Sequence, residues 1–452
     1  MNLMITPGLS INGTYSDLSD PAIPGDKSIS HRAALFAGMA SGDSHIENFM
    51  DSGVTRVLLT ALRSLGVVVH LDGTTLFISS PGYQNWKQPD GVIECGNSGT
   101  TMRLLAGAIA AAGIPAVLDG SSSLRKRPMN RIITPLQQMG VSIQGTASGT
   151  APLHIAGRAP GEWLTPLSYQ QPVASAQVKT ALLLAGLAAD GQTTILEPGL
   201  SRDHTEKMLT AMGVPVLSSQ DSSGTATKSV VQIEGIKAKP LPPINLRIPG
   251  DFSSAAFLIV ASLVCPDSQL VLRSIGLNPT RTGLLDALQR MGANLTISPG
   301  DLQSGEPIGD ITVATSQLNG IKIAGDQVVR MIDEFPIFAA AASYATGSSV
   351  VRDAQELRYK ETDRISSLAQ ELRKIGVAVD EYDDGFAIHG TGTVKGGRVK
   401  PHRDHRLAMS LAVAGLAAEQ PVIVENAEFI NESFPAFTQI LDDAGAELKF
   451  TG

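Results

Sequence analysis

The sequence predicts an α/β protein built from six copies of one structural unit, and two repeated patterns support this. In the first pattern, a leucine is followed four residues later by a glycine, with apolar residues one and three positions after the glycine. These glycines recur at intervals of roughly 70 to 85 residues along the whole chain. They are Gly66, Gly140, Gly213, Gly292, Gly376 and Gly445.

Each copy of this pattern indicates an amphipathic helix that ends at a glycine and leads into a strand. Glycine readily adopts the left-handed conformation that closes many helices. The alternating apolar residues that follow it are typical of a strand with one buried face.

The second pattern is a set of short, alanine-rich segments that are apolar on nearly every side, which predicts buried helices. Each begins with polar residues of the types that cap helices. These starts are Lys27-Ser28, Asn97–Thr101, Ser175–Gln177, Asp251–Ser254, Asp333-Glu334 and Asp404–Arg406. Strand-like runs follow most of them, so each unit contains a buried helix, a strand, an amphipathic helix and a further strand.

The length of 452 residues predicts two domains, because one hydrophobic core seldom serves so long a chain. Three units fill about half of the chain, and a proline-rich stretch after the third unit suggests a linker. Residues 1–22 precede the first buried helix by a full strand's length, so we assign them to the second domain. The predicted organisation is a domain of residues 23–243, a domain of residues 1–22 and 244–452, and hinges near 20–24 and 237–247.

The composition excludes several classes of protein. A net charge of −8 argues against nucleic acid or an anionic membrane as the main partner. The two cysteines, Cys95 and Cys265, lie far apart and match neither a disulfide framework nor a zinc site. No signal peptide and no transmembrane run is apparent, so we expect a cytoplasmic protein with no metal and no cofactor.

The stretch Pro24–Arg32 joins a turn to a helix start that carries two cations, Lys27 and Arg32. Free backbone N–H groups and the helix dipole favour an anion at such a start. The stretch is not a Walker loop, because Pro21 and Asp26 occupy the positions where that motif needs glycine. Taken alone, it fits a phosphate or carboxylate site and an ordinary capped surface helix equally well.

Other polar stretches can also be interpreted either as functional sites or as ordinary structural features. Gly96–Arg103 offers N–H groups and hydroxyls to a ligand, but it also resembles a common helix cap. Leu124–Pro128 and Arg358–Arg364 are basic stretches that also fit solvated surfaces. Ser201–His204 contains the residue types of a catalytic triad, but neighbours in sequence rarely face one another. His402–Arg406 contains two histidines, but no third ligand supports a metal.

Taken together, the ordered motifs resemble the EPSP synthase family over nearly the whole chain. The motifs are Pro24–Ser28 with His31-Arg32, Gly96–Thr100, Arg127–Met129, Ser175–Gln177, Arg358–Arg364 and Asp404–Arg406. Ser175–Gln177, Ser201–His204 and Met331–Glu334 are similar to the class II bacterial branch of that family. Asn431–Pro435 lacks a lysine that many class I members have there, so phosphoenolpyruvate would be bound without it.

The resemblance implies a two-domain inside-out α/β barrel, the enolpyruvyl transferase fold, with six βαβαββ-type units, three in each domain. Its substrates would bind in the cleft between the domains. The implied reaction transfers the enolpyruvyl group of phosphoenolpyruvate to the 5-hydroxyl of shikimate 3-phosphate and releases phosphate by addition and elimination. A related transferase acts on UDP-N-acetylglucosamine, but its family typically has a cysteine in the loop that matches Ser121–Arg127, which has none here.

The resemblance also implies the residues that bind the substrates. Those for shikimate 3-phosphate are Lys27, Ser28, Arg32, Ser175, Ala176, Gln177, Arg202, Asp333 and Lys360. Those for phosphoenolpyruvate are Lys27, Gly99, Arg127, Gln177, Arg364 and Arg406.

The resemblance further suggests catalytic roles for three of these positions or their neighbours. We expect Asp333 to handle the proton of the 5-hydroxyl, Glu361 to exchange the C3 proton, and Lys27 to assist the leaving phosphate. We expect a monomer that glyphosate inhibits. A non-catalytic repeat protein that binds anionic metabolites is the alternative of a different class, and it predicts no phosphate release.

Overall fold

The computed structural model describes residues 1–18, 22–221, 228–237 and 239–451. Its internal contacts divide the chain into two compact units. The N-unit consists of Lys27–Ile248 with Gln303–Gly305, and the C-unit consists of Met1–Asp26, Pro249–Leu302 and Glu306–Gly452. Each unit has its own hydrophobic core.

The α-helices lie mainly where the repeated patterns predict them. They are α1 (Lys27–Met39), α2 (Gly53–Ser64), α3 (Gly99–Ala112), α4 (Asn130–Gln138), α5 (Ala176–Gly186), α6 (His204–Ala211), α7 (Phe252–Val264), α8 (Gly283–Arg290), α9 (Asp326–Arg330), α10 (Phe335–Ser343), α11 (Arg364–Lys374), α12 (His405–Gly415) and α13 (Phe437–Asp443).

The strands are two to ten residues long and lie between these helices, often two or three in succession. They are β1 (Asn2–Thr6), β2 (Asn12–Tyr15), β3 (Ser41–Glu47), β4 (Val68–Asp72), β5 (Thr75–Pro81), β6 (Ile93–Glu94), β7 (Ala116–Asp119), β8 (Ile143–Gln144), β9 (Leu153–Ile155), β10 (Ser168–Gln170), β11 (Gln192–Glu197), β12 (Val216–Asp221), β13 (Lys228–Glu234), β14 (Asn245–Arg247), β15 (Gln269–Gly276), β16 (Asn294–Gln303), β17 (Glu306–Ala314), β18 (Lys322–Ile323), β19 (Thr346–Val351), β20 (Ala378–Tyr382), β21 (Gly385–Thr391), β22 (Gly397–Val399), β23 (Val422–Val424) and β24 (Glu447–Thr451).

In the described residues the strands form six four-stranded sheets, three in each unit, and each sheet has a parallel pair at one edge. The N-unit sheets are β14-β3-β5-β4, β6-β7-β9-β8 and β10-β11-β13-β12. The C-unit sheets are β16-β17-β15-β2, β18-β19-β21-β20 and β22-β23-β1-β24. Each sheet, with its two helices, therefore combines an edge strand, a buried helix, a strand, an amphipathic helix and two strands. Three of the six repeats are contiguous in the chain, and in the other three one strand, β14, β2 or β1, comes from a distant part of the sequence. The βαβαββ prediction is confirmed.

The glycines of the repeat end their helices as the sequence predicts. Gly66, Gly140, Gly213, Gly292, Gly376 and Gly445 all have φ between 77° and 112°. This is the left-handed region, which glycine enters without the steric cost that a Cβ atom imposes.

The division between the units lies after Asp26 and after Ile248, whereas the sequence placed the domain boundaries after residues 22 and 243. Gly25 bridges to Gly250 of the C-unit, and β14 pairs in parallel with β3 of the N-unit. These pairings explain both differences. Residues 20 and 21 of the first predicted hinge, and Ala238 of the second, lie outside the described residues.

The buried helices pack against one another inside each unit. In the N-unit α3 packs against α1 and α5, and in the C-unit α7, α10 and α12 pack together. The approach of α3 to α5 is so close that a Cβ atom on Gly107 would overlap the backbone of Ala181. Because these helices are buried along most of their length, the polar residues at their starts are the main places where they can meet a ligand.

Candidate active site

In the N-unit, Arg32 is a buried cation that connects three helices. Its guanidinium donates hydrogen bonds to the carbonyl oxygen of Ser28 at 3.0 Å, to Thr180 Oγ1 at 2.9 Å and to Thr205 Oγ1 at 2.8 Å. Its side chain is 2% exposed. Arg32 therefore places a fixed positive charge at the start of α1 and couples that start to α5 and α6.

Ser28 brings a second arginine to the same helix start. Arg202 Nη1 donates to Ser28 Oγ at 2.9 Å, although the two residues are 174 positions apart in the sequence. Lys27 begins α1 immediately before Ser28. Three predicted site residues thus lie together at one helix N-terminus, which favours an anion.

The starts of α3 and α5 are joined through Gln177. Its Nε2 donates to Thr100 Oγ1 at 2.9 Å, and its Oε1 accepts from Arg103 Nη1 at 2.5 Å. Ser175 caps α5, with its Oγ accepting from the N–H of Val178 at 3.5 Å. The carbonyl oxygen of Ala176 accepts from Thr180 Oγ1 at 2.6 Å, inside the same helix.

Gly99 lies beside two arginines. A Cβ atom at this position would be 3.2 Å from Arg127 Nη1 and 3.4 Å from Arg103 Nη1. Gly99, Arg127 and Gln177, all predicted for phosphoenolpyruvate, are thus neighbours around Arg103. Arg103 was missing from the predicted site, although a charged residue within a predicted apolar helix was a signal for it.

A buried charge cluster supports the loop that carries Arg202. Lys179 Nζ lies 2.8 Å from Glu197 Oε2 and 2.7 Å from Glu206 Oε1, and all three side chains are almost fully buried. Burial alone would lower the pKa of Lys179, but the two carboxylates outweigh it and raise that pKa. Ser201 Oγ donates to Glu197 Oε1 at 2.5 Å, so this serine is not paired as in a catalytic triad.

In the C-unit, three cations surround the carboxylate of Asp333. Lys360 Nζ lies 3.4 Å from its Oδ1, Arg364 Nη1 lies 3.7 Å from the same oxygen, and Arg406 Nη2 lies 3.9 Å from Oδ2. Arg406 Nη1 also donates to the Asp333 carbonyl oxygen at 3.2 Å. The structure thus brings together four residues that the sequence separates by up to 73 positions.

Arg364 is buried and is held by two carboxylates. Its Nε donates to Asp404 Oδ2 at 2.7 Å, and its Nη2 donates to Glu361 Oε2 at 2.7 Å. Burial alone would lower the pKa of Arg364, but Asp404 and Glu361 outweigh it and raise that pKa. Asp404 also caps α12, because its Oδ1 accepts from the N–H of Arg406 at 2.9 Å.

A buried arginine, Arg281, was not predicted from the sequence, and it shares a hydrogen-bond acceptor with Arg406. Arg281 Nη2 donates to Ser253 Oγ at 2.6 Å, and Arg406 Nη2 donates to the same oxygen at 3.2 Å. Ser253 Oγ in turn donates to Glu334 Oε1 at 2.5 Å. Glu334 precedes α10, but its side chain makes no capping hydrogen bond there, contrary to the usual role of a polar residue at a helix start.

The two histidines of His402–Arg406 face different carboxylates. His402 Nε2 lies 2.7 Å from Glu371 Oε1, and His405 Nδ1 lies 3.7 Å from Glu432 Oε2. The pair therefore does not converge on one point as metal ligands would. Among the helices of the described ranges, none has the length and apolar character that crossing a bilayer requires.

Comparisons with known proteins give a consistent result. A family model described as EPSP synthase (3-phosphoshikimate 1-carboxyvinyltransferase) matches residues 19–441. A 3-phosphoshikimate 1-carboxyvinyltransferase of Geobacter sulfurreducens is 46% identical over 422 residues, which are 93% of this chain and 95% of the relative. One from Bacillus cereus is 44% identical over 416 residues, or 92% and 94% of the two chains.

Solved structures agree with these relatives. The structure of EPSP synthase from Acinetobacter baumannii has a TM-score of 0.84 at 38% identity, covering 99% of this chain and 100% of that one. The enolpyruvyl transferase NikO from Streptomyces tendae has a TM-score of 0.75 at 20% identity, covering 100% and 98% of the two chains. At that identity, the likeness to NikO concerns the fold alone.

Proposed function

We propose that this chain, which belongs to the EPSP synthase family, transfers the enolpyruvyl group of phosphoenolpyruvate to the 5-hydroxyl of shikimate 3-phosphate. The observation that carries the proposal is the family match over residues 19–441. The side chains of both units fit it, because two anionic substrates need several fixed cations.

The residues proposed for shikimate 3-phosphate combine a cationic helix start with a carboxylate. In the N-unit, Arg202 and Ser28 share a hydrogen bond beside Lys27, where a phosphate would find both charge and N–H donors. In the C-unit, Asp333 and Lys360 offer an acceptor and a donor to the hydroxyls of the ring. The full set is Lys27, Ser28, Arg32, Ser175, Ala176, Gln177, Arg202, Asp333 and Lys360.

Arg32 and Ala176 have structural tasks as well. Arg32 donates to Ala176, Thr180 and Thr205, so much of its hydrogen-bonding capacity is directed to the protein. We assign it a share of the electrostatic attraction for the phosphate rather than the main hydrogen bonds.

Phosphoenolpyruvate carries a carboxylate and a phosphate, and guanidinium groups suit both because they donate two parallel hydrogen bonds. In the N-unit Arg127 lies beside Gly99, and Gln177 binds the neighbouring Thr100. In the C-unit Arg364 and Arg406 lie beside Asp333. Lys27 completes the set.

The proposed reaction has an addition step and an elimination step. In the addition, the 5-hydroxyl oxygen attacks C2 of phosphoenolpyruvate, Asp333 takes the hydroxyl proton, and a proton is delivered to C3. In the elimination, a C3 proton is removed, the C2–O bond to phosphate breaks, and phosphate leaves.

The neighbours of each carboxylate fit these roles. The cations around Asp333 favour its ionised form, which a base requires. Glu361, held by Arg364, exchanges the C3 proton, and Lys27 balances the negative charge of the departing phosphate.

Three finer points belong to the same proposal. We assign the chain to the class II branch on its Ser175–Gln177 and Met331–Glu334 motifs. We expect glyphosate, an anionic analogue of phosphoenolpyruvate, to inhibit it. We also expect a cytoplasmic monomer, because one chain carries both sets of binding residues and the substrates are charged metabolites of the cytoplasm.

A phosphate-release assay tests the proposal. Phosphate should appear only when phosphoenolpyruvate and shikimate 3-phosphate are both present, and not when either is left out. Release with UDP-N-acetylglucosamine instead of shikimate 3-phosphate would indicate the related transferase. Binding of both substrates without any release of phosphate would indicate a non-catalytic protein.

A further inference from the structure

The residues that lead into α12 form a turn with an uncommon backbone. The carbonyl oxygen of Pro401 accepts from the N–H of Asp404 at 2.9 Å, which closes a four-residue turn. Its two central residues, His402 and Arg403, have φ of 51° and 61°. Two positive φ values in succession are the mark of a type I′ turn, which strongly prefers asparagine and glycine.

A turn of this kind needs support from its surroundings when neither central residue is glycine. An L-residue with a Cβ atom is destabilised in the left-handed region, and such strain persists only where neighbouring structure holds it. The turn ends at Asp404, which caps α12 and sets the position of Arg406. A change in the conformation of this turn would therefore move Arg406, which belongs to the candidate site.

The support comes from Glu371 on α11. Its Oε2 accepts from the N–H of Lys400 at 2.8 Å, and its Oε1 accepts from His402 Nε2 at 2.7 Å. The carboxylate is fully buried, and Lys374 Nζ donates to both of its oxygens, at 2.7 and 2.8 Å. One carboxylate thus grips the turn on each side of Pro401.

We propose that Glu371 is a positioning residue for Arg406, acting by holding the strained turn Pro401–Asp404 in the conformation that starts α12. The inference rests on the proposed function, in which Arg406 binds phosphoenolpyruvate. Glu371 is seven positions after Arg364 on the same helix, and Arg364 binds Asp404. Helix α11 therefore binds the residues before Arg406 through two side chains, Arg364 at Asp404 and Glu371 at Lys400 and His402.

The test compares three variants of the full chain by steady-state kinetics with both substrates. Glu371→Met keeps a side chain of similar length but removes both acceptors of the turn. Lys374→Met is the matched control, because it removes an ion pair from the same carboxylate and leaves both bonds to the turn in place. Arg403→Gly relieves the strain, because glycine tolerates positive φ, and Arg403 is exposed.

We expect Glu371→Met to raise the KM for phosphoenolpyruvate about tenfold and to change the KM for shikimate 3-phosphate less than about twofold. Lys374→Met should change either KM by less than about twofold, because Glu371 still accepts both hydrogen bonds from the turn. Adding Arg403→Gly to Glu371→Met should bring the KM for phosphoenolpyruvate back to within about threefold of the wild-type value.

Two results would overturn the inference: equal changes in both KM values, or no recovery with Arg403→Gly. If Glu371→Met does not fold, His402→Ala removes the side-chain contact alone, and an unchanged KM for phosphoenolpyruvate in that variant would overturn it too. The wild-type enzyme separates the two claims. A wild-type chain that releases no phosphate contradicts the proposed function, whereas an active wild type with an unaffected variant contradicts only the role of Glu371.

Discussion

Lys360 Nζ lies 3.4 Å from Asp333 Oδ1, and the two side chains are only partly exposed, at 27% and 18%. Arg364 and Arg406 approach the same carboxylate. A carboxylate among three cations favours its ionised form and can accept a hydrogen bond from a substrate hydroxyl. Asp333 can therefore accept a proton from a substrate to which Lys360, beside it, can donate a hydrogen bond.

Asp333→Asn removes the proposed base and keeps the shape of the side chain. We expect kcat to fall about a thousandfold, within the range that general-base catalysis supplies, and the KM for phosphoenolpyruvate to change little. The control is Asp286→Asn, which removes a half-buried carboxylate paired with Arg330 in the same unit. A kcat for Asp333→Asn within threefold of wild type would rule out the role.

Gly99→Ala adds a methyl group 3.2 Å from Arg127 Nη1, closer than a comfortable contact. The arginine must shift, so we expect the KM for phosphoenolpyruvate to rise about threefold and the inhibition constant of glyphosate, a longer molecule, to rise more than about tenfold. Gly53→Ala is the control, because Gly53 also begins a helix and has open space around it. Equal losses for both ligands would contradict this account of Gly99.

Lys179→Met leaves two buried carboxylates without their cation. We expect the free energy of unfolding, measured by urea denaturation, to fall by about 3–5 kcal/mol, as when one partner of a buried ion pair is removed. Lys207→Met breaks the more exposed pair with Asp203 and should cost less than about 1 kcal/mol. Similar losses in the two variants would show that the buried cluster does not stabilise the N-unit.

His31 predicts a specific dependence of stability on pH. Burial, with smaller effects of Lys27 and Arg32, lowers the pKa of His31 from 6.5 to about 4. The folded state therefore resists protonation that the unfolded chain accepts. The resulting stability is fully present above pH 6.5 and is lost as the pH falls from 6.5 to about 4, by roughly 3 kcal/mol.

His31 Nδ1 donates a hydrogen bond to the carbonyl oxygen of Lys27 at 2.9 Å. His31→Asn tests the pH dependence, because asparagine can make the same hydrogen bond and does not titrate. Urea unfolding at pH 7 and at pH 4.5 should show a smaller loss of stability for the variant than for the wild type. An identical loss in both proteins would exclude His31 as the source.

Much of the fold could be predicted from the sequence because local patterns determine where helices begin and end. A glycine such as Gly376 ends a helix for a reason that acts within a few residues, so its role is readable from the chain. The polar starts of the buried helices are similar, since Ser98 and Asp404 cap α3 and α12 through bonds to residues two or three positions away. Because the pattern recurs six times, the same local interpretation predicted the helices of all six repeats.

Partners that are distant in sequence were not predictable in the same way. Nothing beside Lys179 indicates that Glu197 and Glu206 meet it in the core, because that depends on how α5, β11 and α6 pack. Arg281 was missed for the same reason. The pairing of β14 with β3 also joins residues about 200 positions apart, and no local pattern in the sequence indicates it. The candidate site residues that lie in recognisable motifs could be predicted from the sequence. The residues that support them could not, because only tertiary packing brings them close.

The most direct test of the central claim follows the oxygen that bridges C2 and phosphorus in phosphoenolpyruvate. Phosphoenolpyruvate labelled with ¹⁸O at this position is incubated with shikimate 3-phosphate and the wild-type chain, and the products are examined by mass spectrometry and NMR. Enolpyruvyl transfer breaks the C2–O bond, so the label should appear in the phosphate, with an enol ether formed on the 5-oxygen. Label retained in pyruvate, with no enol ether formed, would mean cleavage at phosphorus and would contradict the account.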